Sequence, residues 1–284
     1  MPPDRHLRQT IFRAAYFNVW RGGDHFQPLH QTAFVIKHAR LQIVGVHEAE
    51  GNLARLGQLS GLAYDEVGDL LSAYPIESSR TLATADFRLS ATRLPNGSRL
   101  WVLKGHLPET AYGPYEVRKH GLELDVVAGE YASGRVELMR AVLGELDAIA
   151  GEENVLLLAG LNSPSHRDWT PRVVDRHYGV SAQWPVTCLL EAAGVVDAYR
   201  EFRPNEETHP GYTWTPGYPP PKKTKHEKDD RVDYVFYRGA GLRLGGAALV
   251  GEHRSVADIV VRPWPSDHRM VLGEFESHIA SGTL

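Results

Sequence analysis

Residues 155–159 (VLLLA) form an unbroken apolar run between polar flanks, and such a run predicts a strand buried on both faces. Residues 8–20 (RQTIFRAAYFNVW) alternate near their start and predict a strand entering the core from an edge, and residues 41–46 (LQIVGV) predict another. Helical spacing over residues 29–39 places a helix on a sheet face, a second helix is expected over residues 50–59, and residues 186–193 predict a short one. Residues 72–94 predict two or three short antiparallel strands, and Asn96-Gly97 is a hairpin turn into a partner strand at 99–104 (RLWVLK). Residues 130–150 predict one long amphipathic helix with Val136, Met139, Val142, Leu143 and Leu146 on its apolar side, stopped by Gly151. Strands at 231–237, 242–250 and 270–275 close the chain. With no linker in view, residues 1–284 are expected to form one α/β domain.

The chemistry gathers where these strands stop. The first ends in Asn18, the second runs into His47 and Glu48, the strand before Gly105 delivers His106, and the central one delivers Asn162. Asp267 and His268 stand just before the last strand. A carboxylate at the end of a buried strand is costly unless paired or bound to metal, which favours Glu48 over Glu50 as a ligand. The plainer alternatives are that Glu48 sits in a helix first turn, and that Leu161-Asn162-Ser163-Pro164 is ordinary turn chemistry. Tyr112 and Tyr115, around a Gly-Pro turn in PETAYGPYEV, suit either a ligand pocket wall or simple packing of that loop.

A formal net charge of -4 is mild and argues against a protein that grips long nucleic acid, while leaving room for a small phosphorylated substrate. The single cysteine, Cys188, excludes a disulfide framework and reads as a core residue. Lys222, Lys223 and Lys225 in a Pro-rich excursion read as a solvated charge run. No apolar run reaches membrane-spanning length, and the first residues lack a signal-peptide core. No membrane partner is therefore expected. The expected location is the cytoplasm if the chain is complete, or outside the cell if a signal peptide has been removed.

Taken in order, Asn18 in FNVW, Glu48 in VGVHE, His106 in GHL, Asn162 in AGLN, Asp233 in RVDYVF, and Asp267 with His268 in SDH resemble the endonuclease/exonuclease/phosphatase superfamily of metal-dependent phosphoesterases. The likeness spans nearly the whole chain. It is strongest to a bacterial and fungal branch that reads HL-x-x-x-x-YGPY, PSH-x-DWT and GYTW before the RVDY strand. The resemblance implies a four-layered α/β sandwich of two packed mixed β-sheets flanked by helices, with the site at one end.

It also implies roles. Glu48 and Asp267 would hold Mg²⁺ or Mn²⁺ with Asn18 on the metal or its water, and His268, oriented by Asp233, would contact a phosphoryl group. His106 would donate to the phosphate or leaving oxygen, and Asn162 would hold the nucleophile or a phosphoryl oxygen. Two departures stand out. The usual Gly-Asp-x-Asn motif here reads Ala159-Gly160-Leu161-Asn162, without its carboxylate, either because Gly160 replaces the Asp or because one residue is lost. His47 stands where Gln is common. The expected activity is a metal-dependent phosphoesterase acting on a small phosphorylated or anionic substrate. The alternatives are non-hydrolytic chemistry at the same metal site (elimination, cyclisation or rearrangement) and, third, a non-catalytic phospho-ligand binder.

Overall fold

The computed structural model describes residues 9–82, 86–120, 123–151, 153–214 and 229–278. Its strands in chain order are β1 (Gln9–Asn18), β2 (Ile43–His47), β3 (Ala63–Asp65), β4 (Leu70–Ser72), β5 (Ile76–Thr81), β6 (Phe87–Arg93) and β7 (Arg99–His106). There follow β8 (Val155–Gly160), β9 (Val196–Asp197), β10 (Asp233–Arg238), β11 (Leu242–Gly251), β12 (Ile259–Val260) and β13 (Met270–His278). The helices are α1 (Leu29–His38), α2 (Leu53–Ser60), α3 (Gly113–His120), α4 (Glu123–Ala132), α5 (Arg135–Ala150), α6 (Pro185–Ala192) and α7 (Ala198–Phe202).

Two mixed sheets result, in the orders β12-β11-β13-β1-β2-β4-β3 and β5-β6-β7-β8-β10-β9. Side-chain alternation along each strand builds three cores from them. In β8, Leu156 and Leu158 face the opposite sheet and join Ala14, Tyr16, Ile43, Val235 and Val271 in the central core. Val155, Leu157 and Ala159 face outward onto Val142 and Leu146 of α5 and Val186 and Leu190 of α6. Ala15 and Phe17 of β1 likewise face α1 and α2 through Val35, Ile36, Leu53 and Leu56. The layers are therefore helix, sheet, sheet, helix, the α/β sandwich that the resemblance implied.

The topology explains why polar groups collect at one end. Strands β1 and β2 are parallel, as are β7 and β8, so Asn18, His47, His106 and Gly160 all lie at carboxyl ends. Antiparallel β10 and β13 begin where those strands finish, bringing Asp233 opposite Gly160 and the Asp267-His268 pair beside Asn18. The β8 ladder runs unbroken to Gly160 on both sides, with His106 and Asp233 as its partners.

Three local expectations are corrected. The helix expected over residues 130–150 is broken into α4 and α5 at Gly134, whose φ of +78° is left-handed. The YGPY segment is not a loop but the start of α3, with Gly113 against Trp184, where a Cβ would come within 2.5 Å of the indole. The helix expected from Glu50 begins only at Leu53, because Glu50 itself has a φ of +45°. Cys188 is half-buried rather than in the core, and Lys222, Lys223 and Lys225 lie outside the described residues. Among the described residues no helix is long and apolar enough to cross a membrane.

Candidate active site

The candidate residues Asn18, Glu48, His106, Asn162, Asp233, Asp267 and His268 come to the same end of the sandwich, with Tyr112 and Tyr115 on the wall beside it. Asn18, buried at the end of β1, donates Nδ2 to Glu48 Oε1 at 2.8 Å and accepts at Oδ1 from the Trp20 amide at 2.9 Å. Glu48 follows β2 with a φ of +59°, and its Oε2 accepts from the Arg21 amide at 2.9 Å. The Asp267 carboxyl is held above its ordinary value by burial, and its buried Oδ1 has no hydrogen-bond partner among the described residues. Such an atom marks a group awaiting an ion, a water or a ligand. Ser266 Oγ donates to the Asn18 carbonyl at 2.7 Å and accepts from the His268 amide at 3.0 Å, fixing the Asp267-His268 turn against β1.

His268 Nδ1 lies 2.7 Å from Asp233 Oδ2. Burial would depress this imidazole, but the adjoining Asp233 carboxylate outweighs it and the pKa is pushed up to about 9. At neutral pH the ring is therefore an imidazolium, with Nδ1–H on the carboxylate and Nε2–H left for a ligand. His106 behaves oppositely. Burial first, then the Lys104 and His268 charges, bring it down to about 4 against the pull of Asp233, so it is neutral at pH 7. Its Nε2 lies 3.2 Å from Asn162 Nδ2, which also donates to the Leu107 carbonyl at 2.7 Å. With both amide hydrogens committed, Asn162 can serve a ligand only as an acceptor through Oδ1.

Around this centre opens a cavity of about 750 Å³ lined by Trp20, Glu48, Tyr112, Tyr115, Trp214, Asn162, Asp267 and His268, with Arg118 and Lys119 at its edge. Tyr112 and Tyr115 pack edge to face at 5.1 Å, and Tyr112 meets Trp214 in the same way at 5.7 Å. The Tyr112 hydroxyl is already spent on Asp230 Oδ2 at 2.6 Å, so Tyr112 offers its ring rather than its oxygen.

The remaining motif residues hold this wall in place. Thr213 Oγ1 accepts from the Val232 and Asp233 amides, both at 3.1 Å, and Trp214 bridges to His268. Asp168 of DWT binds Arg200 and Arg231, and Arg231 also binds Asp197, all at 2.7 Å and all buried.

The sequence assigns no role to three groups that the structure brings to the site, although His47 stands out in it as a departure. His47 stacks on His106 at 3.8 Å and 13°, and burial drives its pKa far below the ordinary value, so it stays neutral. Behind it, buried Lys104 reaches Asp69 at 3.0 Å and His47 Nδ1 at 3.4 Å. Tyr16 stands on the inner face beside Gly160 with its phenol raised well above the ordinary value by burial. Alternation along β1, β2 and β7 puts all three on the side facing the opposite sheet, a signal available in the sequence once the strands were assigned.

Comparisons with known proteins follow this geometry. No family model matches the chain. An uncharacterised Caenorhabditis elegans protein, F14F9.5, is 26% identical over 290 residues, covering 93% of this chain and 90% of its own. Among solved structures, the endonuclease/exonuclease/phosphatase of Beutenbergia cavernae superposes with a TM-score of 0.60 at 17% identity, covering 96% of this chain and 72% of its own. TDP2 from D. rerio, complexed with single strand DNA product, does so with a TM-score of 0.59 at 16% identity, covering 94% and 99%. The chain has the endonuclease/exonuclease/phosphatase fold.

The DNA-bound neighbour corrects the expectation, drawn from net charge, that long nucleic acid is an unlikely partner. That expectation treated the net charge as if it were spread evenly. Phosphate is met by the local arrangement of charges at a site, and this cavity is lined by Arg118 and Lys119 together with Glu109 and Glu116, an arrangement that the chain-wide sum does not describe.

Proposed function

We propose that the protein is a divalent-metal-dependent phosphoesterase. The observation that carries this reading is the unpartnered buried oxygen of Asp267, sharing a cavity with Glu48 and with the His268 imidazolium that Asp233 maintains. Among the described residues no three His, Cys, Asp or Glu side chains cluster as a closed metal cage. Two carboxylates and an amide nevertheless fit Mg²⁺ or Mn²⁺, since Mg²⁺ keeps several waters and uses one or two protein carboxylates. Glu48 and Asp267 would hold the ion, with Asn18 orienting Glu48. When bound, it supplies polarisation of a phosphoryl oxygen.

The chain's own groups account for the rest. His268 donates Nε2–H to a phosphoryl oxygen, its positive charge held by the Asp233 carboxylate that accepts from Nδ1–H. His106, neutral and bonded to Asn162, lines an adjoining cavity that also reaches Glu48. Asn162 accepts a hydrogen bond from the attacking or leaving hydroxyl through Oδ1. The cavity's aromatic wall takes the organic part of the ester.

Calorimetry tests the reading. Wild type is expected to bind Mg²⁺ or Mn²⁺, and Glu48→Ala to lose that binding and the hydrolysis of a phosphodiester with it. Unaltered metal binding in Glu48→Ala would sink the assignment. A second reading, non-hydrolytic chemistry at the same site, is favoured by one observation: no carboxylate stands at position 160. Metal binding with no hydrolysis of any simple phosphate ester would bring it forward.

A further inference from the structure

The inner face of β8 ends in a glycine at the centre of the site. A Cβ built on Gly160 would meet Tyr16 Oη at 2.6 Å and His106 Cδ2 at 2.7 Å, closer than real Cβ atoms come to anything. The place where a side chain would project is therefore already filled, by a phenol reaching across from β1 in the opposite sheet. Tyr16 is fully buried with the Gly160 backbone amide beside its Oη, and no acceptor for its hydroxyl hydrogen lies among the described residues. Native structures leave few buried hydroxyls in that condition unless a ligand or water completes them. Its ring also backs the imidazole stack, lying 6.4 Å from His47 at 22°, with His47 in turn on His106.

We propose that Tyr16 serves the position vacated at Gly160. Its hydroxyl, set at the strand end that pairs with His106 and Asp233, donates a hydrogen bond to an oxygen of the bound phosphoryl group. The proposal rests on the phosphoester reading above. The large residue on β1 and the small one on β8 are a matched exchange, and it changes what this wall can do. A carboxylate there would face the existing charges of Asp233 and Glu48 and could accept a proton from water. A neutral phenol instead donates to an anion, so the wall binds the phosphoryl group rather than activating the nucleophile.

Tyr16→Phe deletes only the hydroxyl. Losing one donor to an oxyanion typically costs about 10²- to 10³-fold in kcat. With bis(4-nitrophenyl) phosphate and saturating Mg²⁺, Tyr16→Phe is expected to lose at least about tenfold in kcat/KM, with kcat falling. Its affinity for inorganic phosphate in the presence of Mg²⁺ should fall as well. Wild-type kcat and wild-type phosphate affinity in Tyr16→Phe would overturn the proposal.

A second arm needs no ligand. Gly160→Asp is expected to lower the melting temperature by several degrees through overpacking, and Tyr16→Ser in the same chain to restore most of it. Purely additive losses would show that the two residues do not share the slot. A wild type that neither cleaves the diester nor binds phosphate would defeat the phosphoester reading and the donor role together. The melting arm would still decide whether Tyr16 occupies the place beside Gly160.

Discussion

Two imidazoles of one site are held in opposite states: burial lowers both, and only His268 has the Asp233 carboxylate bonded to it to outweigh that. Asp233 contacts His268 at 2.7 Å and keeps it charged up to about pH 9, while His106 meets an amide instead and titrates only near 4. Replacing Asp233 with Asn retains the shape and removes the charge. Without that carboxylate the burial of His268 is no longer offset, so its pKa falls from about 9 to the ordinary value of about 6.5 or below. Activity that needs the imidazolium then declines on the alkaline side at a lower pH than in wild type. Turnover at pH 8 is expected to drop about 10- to 100-fold with the fold retained. A proton titration of His268 by NMR, run beside the pH–rate profile, checks both; an unmoved alkaline limb would rule out the orienting role of Asp233.

The break between α4 and α5 looks like a defect in an amphipathic pattern, yet it builds the wall of the cavity. Turning the chain at Gly134 folds Arg135 back on Glu130, and both side chains are wholly buried. The guanidinium donates to the carbonyls of Pro108, Thr110 and Ala111, each at 2.9 Å, and Ser163 Oγ donates to Glu130 Oε2 at 2.8 Å. One ion pair thereby ties the segment that follows His106 at the end of β7 to the segment after β8 that carries Asn162. Removing one partner of a buried pair leaves an uncompensated charge and costs about 3–5 kcal/mol. Arg135→Met is expected to lose that much in guanidinium denaturation, and Glu130→Leu added to it to recover part. Equal stability of Arg135→Met and wild type would show that the clamp is not structural.

Across the sandwich as a whole, charge is buried where the two connecting segments meet the second sheet. Arg200, Arg231, Asp168 and Asp197 compensate one another there. Asp230, next to them, accepts hydrogen bonds from the neutral Tyr112 and Trp169 side chains, and burial raises its pKa to about 7. The folded protein therefore retains a proton that the unfolded chain releases above about pH 4. Stability is expected to fall by about 1.4 kcal/mol per pH unit as pH rises from about 4 to about 7, and to level off above. Asp230→Asn keeps an acceptor for Tyr112 and has no proton to release, so it should lack this contribution. Parallel stability curves for the two proteins between pH 4 and 8 would contradict it.

The strands that carry Asn18, Glu48, His106, Asn162, Asp233 and His268 could be read from local pattern, because alternation and abrupt apolar stops are properties of a strand's own residues. Their shared location could be read only through the resemblance, and the structure supplies its cause in parallel β1/β2 and β7/β8 meeting antiparallel β10 and β13. The helix over residues 130–150 was read as continuous because its apolar spacing barely registers a left-handed glycine, and the YGPY segment was read as a loop because Gly and Pro conceal a helix start. The charge argument against nucleic acid failed because a sum over a chain carries no positions.

What fills the space at Gly160 lay beyond any local pattern. Tyr16 and Gly160 are 144 positions apart on strands of different sheets. Alternation states that both face inward; it does not state which inward residues oppose each other. That depends on how two independently hydrogen-bonded sheets settle on one another, a matter of side-chain volumes summed over the whole central core. The size of one residue acquires meaning only from the partner that packing sets against it.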